Sequence, residues 1–478
     1  MDAKILNDFE NIVGPQNIRR GPAQRVAYSF DGTFQQRMPE AVLLPKTTEE
    51  VSRILALANK TETTITTRGA GTSLSGGAIP TIEGLVLDLA QMNAIHEIDK
   101  RNSVAVAQPG VITSDLHHAV EEQGLFYPPD PASLQQCTIG GNVACNSGGP
   151  RCLKYGVTKD FVLGMTVVLA NGSILKLGGK LVKNVTGYQL MQLFVGSEGT
   201  LGVITEVTLR LIPYPSMRKT AIAMFKSLDH ASEAVTEIIG AGILPVALEL
   251  LDRATLDIVT QYRDLTFPQE TNAILIIEQD GNDENAIQND IKSMTAICRE
   301  IGAIECNEAA NEQERQAIWE TRRVASGALG RAAPNKLGED IAVPRSQIPE
   351  MIRRIHEIGE KHQFKIAVFG HAGDGNLHPN FLFDKKIPGE LKRLEVAASE
   401  VFQVALEMGG TLSGEHGIGT LKKEFLVNDL GEQTVNIMQD IKNVFDPKEI
   451  LNPDKIFPEN STEGFLTRLP LLGKNASI

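Results

Sequence analysis

HAGDGNLHPN (371–380) and TLSGEHGIGTLKK (411–423) carry three of the chain's nine histidines on glycine-rich turns. Side chains alternate along a strand, so His371 and His378, seven apart, fall on opposite faces of any single straight strand. They converge only if the intervening Ala-Gly-Asp-Gly-Asn turns, which Gly373 and Gly375 make easy. Glu415 adds a carboxylate on the second turn. Two imidazoles and a carboxylate form a common catalytic zinc set, with an open position for substrate. His416, beside Glu415 on a tight turn, can face substrate while its neighbour faces a metal. One loop histidine alone is ordinarily a hydrogen-bonded residue; three with an acid on glycine turns favour a site. Asp374 reads equally as an imidazole-orienting carboxylate or as a turn-stabilising one. Arg322 and Arg323, on a helix after the only tryptophan, Trp319, are candidates to grip a carboxylate bidentately; each alone also reads as a solvated helix face. Lys336 is a weaker anion-binding candidate, and Asn380 a candidate hydrogen-bond donor to substrate.

Three further clusters lie earlier in the chain. TTRGAGTSLSGGAIP (66–80) follows a strand with small residues whose N–H groups suit a pyrophosphate. A Rossmann unit would continue directly into a helix; Pro80 and another strand come instead. PPDPASLQQCTIGGNVACNSGGPRCLKYGVTKD (128–160) is too long for a structureless loop without function. KNVTGYQLMQLFVGSEGTLGVITEVTLR (183–210) sets Gly196, Gly199 and Gly202 around Ser197 and Glu198.

These segments need scaffolds. Strand 41–45, helix 47–60 with Thr47 as cap, and strands 63–69, 85–89 and 103–110 open the chain in βαβ style. A helix follows over 113–124, then a hairpin over 162–177 with its turn at Asn171-Gly172. One long strand, 199–215, stops at Pro213 and Pro215 and marks a domain boundary. Strands 220–225, 245–252 and 272–281 then alternate with helices 228–242, 253–263 and 284–302, as in an antiparallel sheet covered by helices. A helix over 311–332, another over 348–363 and a strand over 365–373 lead into the histidine turn.

At 478 residues, two or three domains are expected. Forty-six basic against 59 acidic residues give a net charge of −13, which argues against a nucleic-acid binder and a polybasic membrane surface. Five cysteines without a C-x-x-C argue against an iron–sulfur cluster within the chain. Their odd, sparse count and the acidic start, MDAKILNDFENIVG, suggest reduced thiols and a cytoplasmic protein. Peripheral attachment at the inner membrane through a partner stays open.

The elements RGAGTSLSGG, DP, GGNVACNSGG, KYG and GSEGTLGVIT occur in order, and together they resemble the flavin domain of the vanillyl-alcohol oxidase and p-cresol methylhydroxylase type. The resemblance implies FAD in an extended cleft. Arg68, Gly69, Ala70, Gly71, Thr72 and Ser73, with Ser75, Gly76 and Gly77, would wrap the pyrophosphate. Pro129, Asp130, Thr138, Gly140, Gly141, Asn146, Ser147, Tyr155 and Gly156 would line the middle. Glu198, Gly199 and Ile204 would hold the adenosine side and the floor. Some relatives attach the flavin through a histidine in the first loop; residues 69–77 contain none, so the FAD is expected to be non-covalent.

The C-terminal half resembles the FAD-linked oxidase domain of D-lactate dehydrogenases, of D-2-hydroxyglutarate dehydrogenase and of the glycolate oxidase flavoprotein subunit. WETRR (319–323), GEDIAVP (338–344), GHAGDGNLH (370–378), SGEHGIG (413–419) and NPDKIF (452–457) carry it. By that likeness His371, His378 and Glu415 bind a divalent metal, zinc first, with manganese or iron as alternatives. His416 acts as base, and Asn452 reaches the flavin. Some relatives place a lysine two residues before the aspartate of the strand that enters the Val-Pro element; here Gly338 stands there and Lys336 two earlier.

The expectation is an α+β chain: lead-in 1–37, two-subdomain FAD-binding domain 38–217, α+β substrate or cap domain with an antiparallel sheet 218–460, and tail 461–478. It would oxidise a D-2-hydroxy acid, D-lactate ahead of glycolate and 2-hydroxyglutarate, with hydride passing to FAD. Electrons would leave to a separate iron–sulfur protein or electron-transfer flavoprotein, and homo-oligomers stay open. A metal-dependent hydrolase would leave the N-terminal glycines unexplained; a non-catalytic flavoprotein subunit is the third reading.

Overall fold

Three short apolar strands near the N-terminus, Ala41–Leu43, Leu85–Asp88 and Ile65–Arg68, pair in parallel, with Ile18–Arg19 antiparallel at one edge. The computed structural model from which this is read describes residues 1–262, 265–458, 464–468 and 470. Helix Thr48–Thr61 makes the first crossover. The Thr47 hydroxyl caps it by accepting from Glu50 N at 3.2 Å, with Glu49 and Glu50 in the first turn. Its Val51, Ile54, Leu55 and Ala58 join Phe9 and Val13 of helix Ala3–Val13 over the strands in one apolar core.

A second sheet is fully antiparallel: Ile95–Asp99, Val104–Ala107, Val203–Arg210, Val162–Val168 and Ile174–Gly178, in that order. Its last two strands are the expected hairpin. The edge strand Ile95–Asp99 is not foreseen, because its largely exposed IHEID lacks an apolar stripe. The long strand expected over 199–215 is instead Val203–Arg210 followed by Ile212–Pro213, which pairs with Leu125–Phe126. Its start is lost because Glu198 and Gly199 take left-handed backbone, φ 50° and 73°.

Packing divides the chain into two units. The first holds 1–147, 157–214 and the segment from 415 onward; the second holds 148–156 and 215–414. Sequence boundaries keep 415–460 with the second domain, but Ile450 and Leu451 sit in the first unit's core and Leu451 bridges Ile65. Of the expected tail, only 464–468 and 470 fall among the described residues.

The second unit is an antiparallel sheet ordered Ala303–Glu308, Met217–Phe225, Ala273–Gly281, Ala247–Asp252, Lys365–His371, Asn376–Phe383 and Asn335–Gly338; Ile341–Ala342 also pairs with Asn376–Phe383. Helices Arg253–Tyr262, Glu312–Arg323 and Ala325–Ala332 bury one face, through Leu256, Val259, Ala328 and Leu329 against Leu251, Ile274, Ile276 and Phe369. The single helix expected over 311–332 is thus two, separated at Val324. Helices Leu228–Gly240, Glu284–Ile301, Ile348–His362 and Glu390–Glu407 complete the unit.

Candidate active site

The strand expected over 365–373 ends at His371, and its hairpin partner begins at Asn376. The register decides where the two histidines go. Phe369 pairs with His378 and His371 with Asn376. Directly opposed residues share a face, as do residues two apart on one strand. His371 and His378 are therefore diagonal neighbours on the same face, as the turn required. Their ring centroids lie 5.2 Å apart at 86°, and one ring nitrogen from each lies within 4.8 Å of the other.

Glu249 pairs with His371 across the next strand and shares that face. It is fully buried. One carboxylate oxygen lies 2.5 Å from His371 Nδ1, and the other accepts from Arg322 Nε at 2.6 Å. Burial alone would raise its pKa, but the imidazole and the guanidinium hold it below the usual carboxylate value. The Arg322 guanidinium also stacks over Phe369, 4.3 Å from the ring centroid. Arg323, one residue on, is exposed and bonds to Gln316 on its own helix.

Across the hairpin, Asp340 plays a related part beside His378. Asn335–Gly338 stops pairing at Asn380, and Ile341 resumes at Leu377. Glu339 and Asp340 fill the gap opposite Pro379, where a residue without an N–H loses no ladder bond. The interruption sets the buried Asp340 carboxylate 3.7 Å from His378 Nδ1, where it also accepts from Asn376 Nδ2 at 2.6 Å and Ser413 Oγ at 2.7 Å. Asp374 is exposed in the hairpin turn and accepts from Asn376 N at 3.3 Å. Asn380 is buried and donates to the His378 carbonyl at 2.7 Å. Lys336, two residues before Gly338, projects from the same face as Asn380. It donates to Ser326 Oγ at 2.8 Å, and burial lowers its pKa to about 8.

In the first unit, the loop from Gly69 to Gly77 leaves the carboxyl end of a parallel strand, the usual ligand position in such sheets. Among the described residues, no N–H from Ala70 to Leu74 donates to another protein group. A run of free donors on small residues fits a pyrophosphate. Arg68 supports the loop from within: its guanidinium donates to the carbonyls of Phe30 and Ala78 and lies 1.9 Å from where a Cβ at Gly71 (φ +72°) would stand. Ser73 Oγ accepts from Ser75 N and Gly77 N.

Thr138 caps helix Ile139–Cys145, accepting from Gly141 N, and the Gly140 N–H donates to the Pro109 carbonyl. Asn146 ends that helix in left-handed backbone and accepts from Lys159 N, while the Ser147 carbonyl accepts from Thr158. The Pro129 carbonyl lies 3.0 Å from His117 Nε2, and Asp130 follows it. Ile204 pairs with Val167 in the antiparallel sheet. Tyr155 and Gly156 belong to the second unit, where the Tyr155 hydroxyl donates to Asp280 at 2.7 Å.

Glu198 is buried with both carboxylate oxygens engaged, by Ile418 N at 2.8 Å and Gly419 N at 2.9 Å. Burial raises its pKa against those two bonds. Its carbonyl accepts from Asn452 Nδ2, which sits beside Gly199, and Asn452 Oδ1 accepts from Thr67 N. The turn carrying Glu415 and His416 is thereby tied to the strand that leads into the 69–77 loop. Ser75 Oγ adds a bond to the His416 carbonyl at 3.2 Å.

Three groups were not foreseen as site residues. Glu249 is an acid inside the apolar run VALELL, a signal that its charge has a buried partner. Asp340 and Lys455 lie within quoted motifs. Lys455 Nζ donates to the Gly77 carbonyl at 2.6 Å, and burial lowers its pKa to about 7. The donor chemistry also fits a divalent metal: two neighbouring imidazoles, His371 with a carboxylate hydrogen-bonded at Nδ1, the arrangement that orients metal-bound histidines, and His378 with the Asp340 carboxylate 3.7 Å from its Nδ1.

Residues 214–456 match the family of FAD linked oxidases, C-terminal domain, and residues 39–178 match the FAD binding domain family. Glycolate oxidase subunit GlcD of Bacillus subtilis (strain 168) is 47% identical over 458 residues, 96% of this chain and 97% of that one. D-lactate dehydrogenase of Anaerostipes hadrus is 36% identical over 463 residues, 95% and 97% of the two chains. D-2-hydroxyglutarate dehydrogenase of Stutzerimonas stutzeri (strain A1501) is 31% identical over 467 residues, 95% and 99%. Among solved structures, p-cresol methylhydroxylase with substrate bound superposes with a TM-score of 0.80 at 17% identity, covering 96% of this chain and 98% of the other. The 4-ethylphenol oxidase of Gulosibacter chungangensis gives 0.78 at 20% identity, covering 96% and 97%. The expected α+β fold, a flavin domain of that type with a C-terminal antiparallel-sheet domain, is borne out.

Proposed function

The chain belongs to the FAD-linked oxidases and is an FAD-dependent oxidoreductase, and on that premise we propose that it oxidises a short 2-hydroxy acid to the 2-oxo acid. One observation carries the reading: Glu249, Arg322, His371, His378 and Asn380 gather on one buried sheet face, pairing an anion clamp with two metal-type imidazoles. The GlcD likeness favours reversing the order expected from the sequence, in which D-lactate leads: glycolate comes first, D-lactate second and D-2-hydroxyglutarate third.

In this reading Arg322 grips the carboxylate through its Nη edge, since Glu249 takes Nε and Phe369 fixes the plane. Lys336 and Asn380 assist in binding. His371, His378 and Glu415 would hold a divalent ion, zinc first. Such an ion, when bound, lowers the pKa of an alcohol. His416 accepts the hydroxyl proton on its imidazole, a group suited to proton transfer near neutral pH. FAD, held non-covalently, would supply the redox chemistry as acceptor of the C2 hydride. Arg68, Gly69, Ala70, Gly71, Thr72, Ser73, Ser75, Gly76 and Gly77 cradle its pyrophosphate; Thr138, Gly140, Gly141, Asn146, Ser147, Glu198, Gly199 and Asn452 shape the remaining cleft. The relative's name, a subunit, supports a separate electron acceptor. No helix among the described residues is long and apolar enough to cross a membrane.

Anaerobic titration of the purified flavoprotein with glycolate, D-lactate and D-2-hydroxyglutarate tests this. Bleaching of the bound FAD by glycolate or D-lactate is expected. Bound FAD that none of the three reduces would favour a non-catalytic subunit and overturn the reading.

A further inference from the structure

The two oxygens of Glu249 face different halves of the proposed chemistry. Oε1 meets His371 Nδ1 at 2.5 Å and Oε2 meets Arg322 Nε at 2.6 Å. The carboxylate is fully buried, and His371 and Arg322 are nearly so. We propose that Glu249 is a positioning residue that locks the metal-binding imidazole and the substrate-carboxylate clamp into one unit, so that metal and hydroxy acid bind cooperatively. The inference rests on the function proposed above.

The physics follows from the three side chains. An imidazole that bonds a carboxylate at Nδ1 is held in one ring orientation and in the tautomer that keeps Nε2 as the ligand atom. A guanidinium pinned at Nε and stacked on Phe369 has lost most of its rotamer freedom before substrate arrives, so less is lost on binding. Both effects pass through one carboxylate whose neighbours on the same sheet face, Ala247, Leu251 and Ile276, are apolar and buried. It has no second set of partners to turn to. A rotation that improves one bond weakens the other, so the occupant of either half stiffens the other half. That is the thermodynamic meaning of coupling between sites.

The test replaces Glu249→Gln in the holoprotein, with Glu249→Asp as the companion that keeps the charge on a shorter arm. Zinc affinity of chelator-stripped, FAD-loaded protein is read by competition with a chromophoric chelator. Binding of oxalate, a non-oxidisable dicarboxylate that mimics the carboxylate and hydroxyl oxygens of a 2-hydroxy acid, is read by calorimetry with and without zinc. In the native protein zinc tightens oxalate binding. In Glu249→Gln, zinc affinity falls about 10- to 100-fold. Oxalate affinity measured without zinc falls as well, and the tightening by zinc shrinks to what direct coordination of oxalate supplies; Glu249→Asp lies between. If Glu249→Gln yields no folded flavoprotein, the same three quantities are read from Glu249→Asp. Native zinc and oxalate affinities in whichever variant is measured overturn the inference. His371→Ala separates this from the parent reading: loss of zinc in His371→Ala with retention in Glu249→Gln removes only the Glu249 role. Retention in both removes the metal site itself.

Discussion

Glu198→Gln tests the link between the strand leading into the 69–77 loop and the turn that carries His416. The native carboxylate accepts two main-chain N–H bonds, from Ile418 and Gly419, in a buried setting. Charge-assisted bonds of this kind contribute about 1.5–3 kcal/mol each. Glutamine keeps one acceptor and turns an NH₂ group towards the other N–H, so one bond is lost and one buried donor is left unpaired. Relief of the buried charge, which already raises the Glu198 pKa, offsets part of this. The net expectation is about 1–3 kcal/mol of destabilisation, or a melting point lower by a few degrees. Function should suffer more. A displacement of about 1 Å in a reacting group can cost on the order of 100-fold in rate, so anaerobic FAD reduction by glycolate or D-lactate should slow at least about tenfold while the bound-flavin spectrum persists. The assay pairs thermal unfolding, followed by flavin fluorescence, with stopped-flow reduction. Native melting and native reduction in Glu198→Gln would refute the claim that this carboxylate positions the turn.

Other outcomes follow from single groups. His416→Ala should retain FAD but reduce it about 10²- to 10⁴-fold more slowly, the range for a lost general base; near-native stopped-flow reduction ends that assignment. Lys336, with its pKa lowered to about 8, is charged below that pH and neutral above it. Hence KM for the hydroxy acid should rise above pH about 8 in the native enzyme, and the rise should be absent from a pH profile of Lys336→Met. Prolonged chelation should slow flavin reduction at least about tenfold without changing the flavin spectrum, and added zinc should restore it; full turnover in metal-free protein, checked by elemental analysis, contradicts the metal role. Thr47→Ala should destabilise by about 1 kcal/mol through loss of the helix cap and leave kcat unchanged.

Much of this architecture is legible in the sequence, because its signals are local. Thr47 with Glu49 and Glu50 announces a helix start, and Asn171-Gly172 a hairpin. The glycine clusters announce backbone that must approach something closely. Elements set by long-range pairing were less legible. Ile95–Asp99 is an edge strand held by Val104–Ala107, and its own sequence looks polar. Residues after 414 look continuous with the second domain, yet they return to the first unit because Leu451 finds its partner at Ile65, hundreds of residues earlier. At the site, the hairpin bend that brings the two imidazoles together follows from their odd spacing and Gly373 and Gly375. Their carboxylate partners do not. Glu249 and Asp340 reach His371 and His378 only through cross-strand register and an interrupted strand, which no single stretch of sequence records.

The most direct measurement is single-turnover reduction of the bound FAD by glycolate and by glycolate deuterated at C2, in the absence of oxygen and of any acceptor protein, with the product identified. The account predicts complete bleaching, one glyoxylate per flavin, and slower bleaching with the deuterated acid because the C2–H bond breaks as the flavin is reduced. If glycolate, and D-lactate in the same experiment, leave the FAD oxidised, or if bleaching proceeds without formation of the 2-oxo acid, the account is contradicted.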